Sequence, residues 1–324
     1  MASLGRYIVG RAVQIVITYI IIVIFVYLMV ALLPTNYVGL LAFSHMTPAQ
    51  KLYLEKQFGI GLPFWQSFSI YFVHMLTFNF GTSFYYTGTP VLTLIGQALP
   101  RTLLLLGEAT VLSYLLGYII GTYAGWKRGG VLDNSAIYFS FTFYNIPTFW
   151  LGIVLLYILA YKYPIFPLGG YISSNINMNN PFSVFLSLQY HALLPMMVLT
   201  LISLAGALLL MRTSMLDVQG EEYINLATAK GLSEREVLFR HASRNAILPL
   251  ITSFILSLPF IVGGAVVTED IFSYQGIGYL YISSIDRLDM PVVYALTFII
   301  SILVLLFNLF ADVLYGFLDP RVRY

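Results

Sequence analysis

From Ala12 to Leu33 the chain runs through 22 residues without a single charge, and similar runs recur along its length. A helix needs about 20 mostly apolar residues to cross a bilayer. Six segments meet that requirement: residues 12–33, 102–126, 134–161, 190–211, 246–268 and 291–318. Only 9% of the residues are Asp, Glu, Lys or Arg, against about 25% in a soluble domain. The expected fold class is therefore an all-α polytopic membrane protein with six transmembrane helices. The first run is too long for a signal-peptide core, which spans about 7–15 residues, and reads as a retained span.

A seventh candidate, Phe64 to Phe80, holds Gln66, His74, Asn79 and two serines in 17 residues and reads as an amphipathic or interfacial helix. Charge asymmetry supports leaving it out, because loops on the cytoplasmic side concentrate Lys and Arg. With six spans and the N-terminus inside, the inner side holds Arg6, Arg11, Lys127, Arg128, Arg212, Lys230, Arg235, Arg240, Arg244, Arg321 and Arg323. The outer side keeps Lys51, Lys56, Arg101, Lys162 and Arg287. A seventh span would reverse that balance. The expected organisation is residues 1–33 as the N-terminus and first span, 34–100 as an extracytoplasmic segment, and 101–324 as the core of the remaining spans. Both termini and the loop 212–245 face the cytosol.

That loop has helical punctuation. In GEEYINLATAKG, Glu221 and Glu222 occupy the first turn, Lys230 the end, and Gly231 the position where a left-handed cap is favoured. Tyr223, Leu226, Ala227 and Lys230 share one face at spacings of three and four. The next four residues, Ser233 to Glu236, fit a capping box that opens a second helix. A helix of ten residues is marginal in water and needs a partner surface. The small residues Ala227, Ala229 and Gly231 suit a receiving groove.

Inside the apolar runs, Glu108 and Asp312 are the charged candidates, since charge within a span costs about 2.5–3.5 kcal/mol on insertion scales. Arg101 lies seven residues before Glu108, on the same face but two turns away. Asn145, Pro147, Pro259, Gly263, Gly264 and Glu269 are candidates for a pathway or gate. Proline and glycine interrupt backbone hydrogen bonding, with Pro249 a further break, and Thr268–Glu269–Asp270 reads as an outer vestibule or a solvated helix end.

A net charge of +2 with scattered basic residues excludes a nucleic-acid partner. With no cysteine there is no thiolate chemistry, and His45, His74, His191 and His241 have no metal-ligand spacing. Neither H-E-x-x-H nor G-x-S-x-G occurs, so an intramembrane enzyme lacks its residues. An ion-coupled secondary transporter remains a second reading, supported by Glu108 alone.

The run LMRTSMLDVQGEEYINLATAKGLSEREVLFRHASRNAILP, residues 210–249, resembles the cytoplasmic loop of ABC-importer permease subunits of the dipeptide and oligopeptide transport family. It is similar to the peptide-family form of the EAA motif, with Asn225, Leu226 and Ala227 standing ahead of Gly231 in place of Glu-Ala-Ala. FGIGLPFWQSFSIYF, NFGTSF, TPVLTLIGQALPRTLLL, NIPTFWLGIVLLYIL, PLGGY, VVTEDIFSYQGIGYL and DPRVR look like further landmarks of that family, in its order.

The resemblance implies the type I ABC-importer permease fold and a coupling helix over about 222–230. Glu222, Tyr223, Leu226, Ala227, Ala229 and Gly231 would face an ATPase. It also implies a second homologous permease subunit, two ATP-binding cassette ATPase subunits, an extracytoplasmic substrate-binding protein and a cell-membrane location. The chain has no G-x-x-x-x-G-K-[ST] loop, so it needs no cofactor of its own, and ATP and Mg belong to the partner subunits. The implied cargo is short peptides, with oligosaccharides or nickel as alternatives within the same permease type.

Overall fold

The computed structural model describes residues 4–31, 47–48, 52, 62–86 and 88–318. Most of the stretch between Leu33 and Gly61, the terminal DPRVR motif, and the side chains of Arg6 and Arg11 lie outside what is described. Among the described residues the structure is helical, with a lone bridge between Thr82 and Pro90. Contacts divide the chain into two units, one of residues 1–100 with 276–324, the other of residues 101–275.

The first unit holds α1 (Leu4–Ala31), α2 (Phe64–Leu76), the start of α3 (Val91–Trp126), α11 (Ile277–Asp286) and α12 (Met290–Leu318). Aromatic rings join them. Tyr19 of α1 meets Phe298 of α12 edge-on at 5.3 Å, and Tyr27 sits among Phe64, Phe68 and Tyr71 while its hydroxyl donates to the Phe64 carbonyl at 3.1 Å. The 13 residues of α2 span only about 20 Å at 1.5 Å per residue, short of a bilayer core of about 30 Å. Gln66, His74 and the two serines of that segment thus sit on a short helix held against α1, and Asn79 lies in the turn beyond it. Asp289, buried at the start of α12, accepts hydrogen bonds from the Ser83 hydroxyl and from the Phe84 amide at 3.0 Å, which fixes the 77–90 loop.

The second unit continues α3 from Arg101 and adds α4 (Val131–Asn145), α5 (Thr148–Lys162), α6 (Pro181–Gln219), α7 (Glu222–Ala229), α8 (Glu234–Ala246), α9 (Leu248–Gly263) and α10 (Val266–Ile271). Within it α3 approaches α6 closely. Gly117, Gly121 and Gly125, spaced by four, form one stripe of α3, and a Cβ at any of them would come within 2.6–2.8 Å of α6 atoms. Without side chains there, the two backbones close to a distance that α6 fills with Ala207, Met211 and Met215. Asp133 of α4 and Arg212 of α6 form an ion pair, and Asp133, buried, also accepts the Gly129 amide at 2.8 Å. Two donors on a buried carboxylate offset the cost of removing it from water.

Among the described residues, three helices are long and apolar enough to cross a membrane: α3, α6 and α12. Two bent pairs bring the number to five. The run 134–161 is one of these pairs, bent by 99° between α4 and α5. Ile146 is extended (ψ 127°) ahead of Pro147, as steric exclusion by a following proline requires. The run 190–211 lies within a 39-residue helix, about 58 Å long. In the run 246–268 the expected breaks shift. Pro249 falls in the first turn of α9, where its missing amide costs nothing, and the helix passes through Pro259 before ending at Gly264 with φ 81°. The break there belongs to the glycine.

Candidate functional site

The 212–245 connection is a built structure. Where α6 ends, Gln219 Nε2 donates to the Trp126 carbonyl at 2.9 Å, and the Trp126 indole donates to Glu234 of α8 at 2.8 Å. Trp126 thus fixes both sides of α7, a role the sequence carries no signal for. After an extended Glu221, α7 opens with Glu222 in its first turn, where the helix dipole favours an acid. It closes with the Gly231 amide donating to Thr228 at 2.9 Å and Gly231 at φ 77°, the left-handed cap expected from its position. Ser233 then caps α8, its hydroxyl accepting from the Glu236 amide at 3.3 Å. The Glu236 carboxylate pairs with Arg240 rather than completing a reciprocal box. The middle of α8, Val237–Ala242, is wound as a π-helix.

The orientation of α7 corrects the expected face. Ile224 and Ala227 point inward onto Val237, Leu238 and Ala242, and Ala227 is only 5% exposed. Ala227 is small because the short helix must approach α8 closely, so it is not on the open side. The outward surface is a shallow hollow of Glu221, Glu222, Tyr223, Asn225, Leu226 and Ala229. Leu226 is 57% exposed there, and the Tyr223 hydroxyl accepts from Asn245 at 2.8 Å. Ile224, the one β-branched aliphatic residue of the helix, was the signal for its inner face.

The second unit also forms an open hollow of about 840 Å³. Its walls come from α3 (Tyr114), α4 (Ser140, Tyr144), α6 (Gly206) and α9 (Ser257, Phe260). None of the six pathway candidates lines it. Asn145 ends α4 with its side chain bonded to the Phe141 carbonyl at 2.6 Å, Pro147 precedes α5, Pro259 is buried, and Gly263 and Gly264 form the end of α9. Glu269 is 0% exposed and accepts from the Thr102 hydroxyl at 2.8 Å. That excludes both a solvated helix end and a vestibule wall for Glu269 in this conformation, and only Asp270 of the three is exposed.

Glu108 receives a hydrogen bond from Gln189 of α6 at 2.7 Å. Arg101 turns elsewhere, stacking over Tyr171 at 3.6 Å and donating to the Gln275 carbonyl at 3.0 Å. Asp312 is half-buried on α12.

A helical chain with several stretches long and apolar enough to cross a bilayer, and a braced external helix between two of them, defines a polytopic membrane protein. Residues 117–324 match the model of the binding-protein-dependent transport system inner membrane component, and the chain belongs to that family, the membrane permeases of ABC importers. It is 38% identical over 272 residues to the oligopeptide transport system permease protein AppB of Bacillus subtilis, covering 84% of each chain. It is 33% identical over 320 residues to the dipeptide transport system permease protein DppB of Lactococcus lactis, covering 98% of this chain and 99% of the relative. With DppB of Escherichia coli it shares 30% identity over 336 aligned positions, 98% of this chain and 99% of the relative. Family membership sets aside the ion-coupled carrier.

Proposed function

We propose that this chain is one of two permease subunits in an importer of short peptides, and that α7 is its coupling helix. In this reading six spans cross the membrane, with both termini and the 212–245 connection in the cytosol. Two ATPase subunits bind ATP and Mg and receive the outer face of α7. A second, homologous permease completes the pathway, and an extracytoplasmic binding protein delivers the peptide. Closure of the ATPases on ATP displaces α7, and α8, joined to it through Ile224 and Ala227, carries the displacement toward α9. The pair of permeases then rocks between inward-open and outward-open arrangements, a rigid-body change between two states.

The observation that carries this reading is the contrast between the two faces of α7. Eight residues form a helix that is marginal alone, yet its C-terminus is closed at Gly231 and its inner face anchored, while Leu226 stands uncovered beside Tyr223 and the two glutamates. An apolar side chain exposed on a braced helix suits a groove with an apolar pocket and basic residues at its entrance. Peptide cargo is supported by the names of the relatives.

The test uses the absence of native cysteine. In the assembled complex, Leu226→Cys should crosslink to a cysteine in the receiving groove of the ATPase, and Ala227→Cys should not. Crosslinking through Ala227→Cys with none through Leu226→Cys would reverse the assigned faces. Uptake of labelled dipeptides should require ATP and persist in the presence of an ionophore.

A further inference from the structure

Trp126, the last residue of α3, meets the chain on both sides of α7. Its carbonyl accepts from Nε2 of Gln219, the last residue of α6, at 2.9 Å, and its indole N–H donates to the carboxylate of Glu234, the first residue of α8, at 2.8 Å. Each bond uses a group that the end of α3 leaves free. The carbonyls of a helix's last turn have no partner within it, and an indole N–H only donates. The ring packs onto the cluster that holds Ile224 and Ala227, the inner face of α7. Residues 220–233, with α7 among them, are therefore closed on α3 at both ends.

The contacts continue back along α3. Tyr123 meets Phe239 of α8 edge-on at 5.8 Å, the Tyr118 and Ser243 hydroxyls lie 3.3 Å apart, and the Tyr114 and Ser253 hydroxyls bond at 2.8 Å, the last of these reaching α9. In that series Trp126–Glu234 is the tie next to α7.

We propose that Trp126 is a positioning residue of the coupling step: by clasping both flanks of α7 it makes α3 a second receiver of the displacement, alongside α9. The inference rests on the reading of α7 as the coupling helix. A short helix pushed by a partner can move its support or swing against it. The packing of Ile224 and Ala227 on α8 is non-directional, whereas hydrogen bonds weaken steeply when bent. Two of them hold the flanks of α7 at fixed points on α3. Glu234 accepts as a carboxylate, and a bond to an ionised group is about twice as strong as a neutral one. Motion of α7 then pulls on the end of α3, and the contacts of Tyr123, Tyr118 and Tyr114 keep α3 in step with α8 and α9.

The test measures peptide imported per ATP hydrolysed by the complete complex in proteoliposomes, with its binding protein. Trp126→Phe keeps an aromatic ring and removes the donor. Glu234→Leu removes the acceptor, and Glu234→Gln loses the same charge but keeps an acceptor oxygen, so the difference between these two isolates the hydrogen bond. Trp126→Phe and Glu234→Leu should each lower the ratio about threefold to tenfold, the span of one lost hydrogen bond. The double variant should fall no further than either single one, as expected of two halves of one interaction, and Glu234→Gln should keep most of the ratio. Leu226→Cys should still crosslink to the ATPase groove in every background, since the outer face of α7 is unaltered.

An unchanged ratio in Glu234→Leu would overturn the proposal, as would equal losses in Glu234→Leu and Glu234→Gln or additive losses in the double variant. Loss of the crosslink in the variants would overturn it too, by making the bond a support for docking rather than for transmission. The Glu234 pair decides alone where Trp126→Phe does not assemble. If Leu226→Cys fails to crosslink in the otherwise wild-type chain, the coupling reading fails first and takes the role of Trp126 with it.

Discussion

Two glycines of α3 are chemically identical and stand in opposite circumstances. At Gly121 an added Cβ would lie 2.8 Å from the Leu208 carbonyl oxygen and from the Met211 Cβ, while at Gly107 nothing lies within 4 Å. The first obstacle includes backbone, which cannot swing aside, so Gly121→Ala must push α3 away from α6. Overpacking of this kind costs about 1–3 kcal/mol. Gly107→Ala meets no such obstacle and replaces a poor helix former with the best one. Thermal unfolding of the purified permease complex should show a lowered midpoint for Gly121→Ala and an unchanged or raised one for Gly107→Ala. The four-residue spacing of Gly117, Gly121 and Gly125 is visible in the chain, but it becomes a packing stripe only once the surface opposite is known.

For a short element such as α7, its ends decide whether it holds its shape. Gly231 sits at φ 77° with open space around its missing Cβ, so a substitution there is penalised by backbone conformation alone. A left-handed residue with a side chain costs about 1–2 kcal/mol, and Asn is among the few that visit the region routinely. Gly231→Val is expected to lower peptide uptake per ATP hydrolysed, whereas Gly231→Asn should stay near wild type. Equal losses in both would show that side-chain volume, not the left-handed turn, is what matters there. The glycine, the acidic first turn and the serine cap could be read from the sequence because each acts on neighbouring backbone. The inward aim of Ala227 could not, because it depends on Val237 and Leu238 arriving across a turn. Likewise Glu108 found its partner in Gln189, 81 residues away, rather than in Arg101 on its own helix.

For the molecule as a whole, the asymmetry of basic residues makes a prediction about sidedness. In the six-span reading the tip of the 163–180 connection is outside and α7 is inside. Met178 is 67% exposed and Lys230 is exposed as well, so Met178→Cys and Lys230→Cys report both sides in a chain with no other cysteine. A membrane-impermeant maleimide should label the first in intact cells and the second only after permeabilisation. The opposite pattern would invert the topology.

Apolar run length and the distribution of lysine and arginine are properties of the bare chain, because the bilayer acts on each segment through its own hydropathy and flanking charge. They were enough to indicate a helical membrane protein and its apolar runs, while the acidic first turn and Gly231 marked the short external helix. The inner and outer faces of α7, the burial of Glu269 and the hollow between α3, α4, α6 and α9 arise from contacts between segments far apart in sequence. A helix of nearly uniform hydrophobicity does not specify which of its sides meets which neighbour. Close packing settles that, through the fit of small residues against large ones.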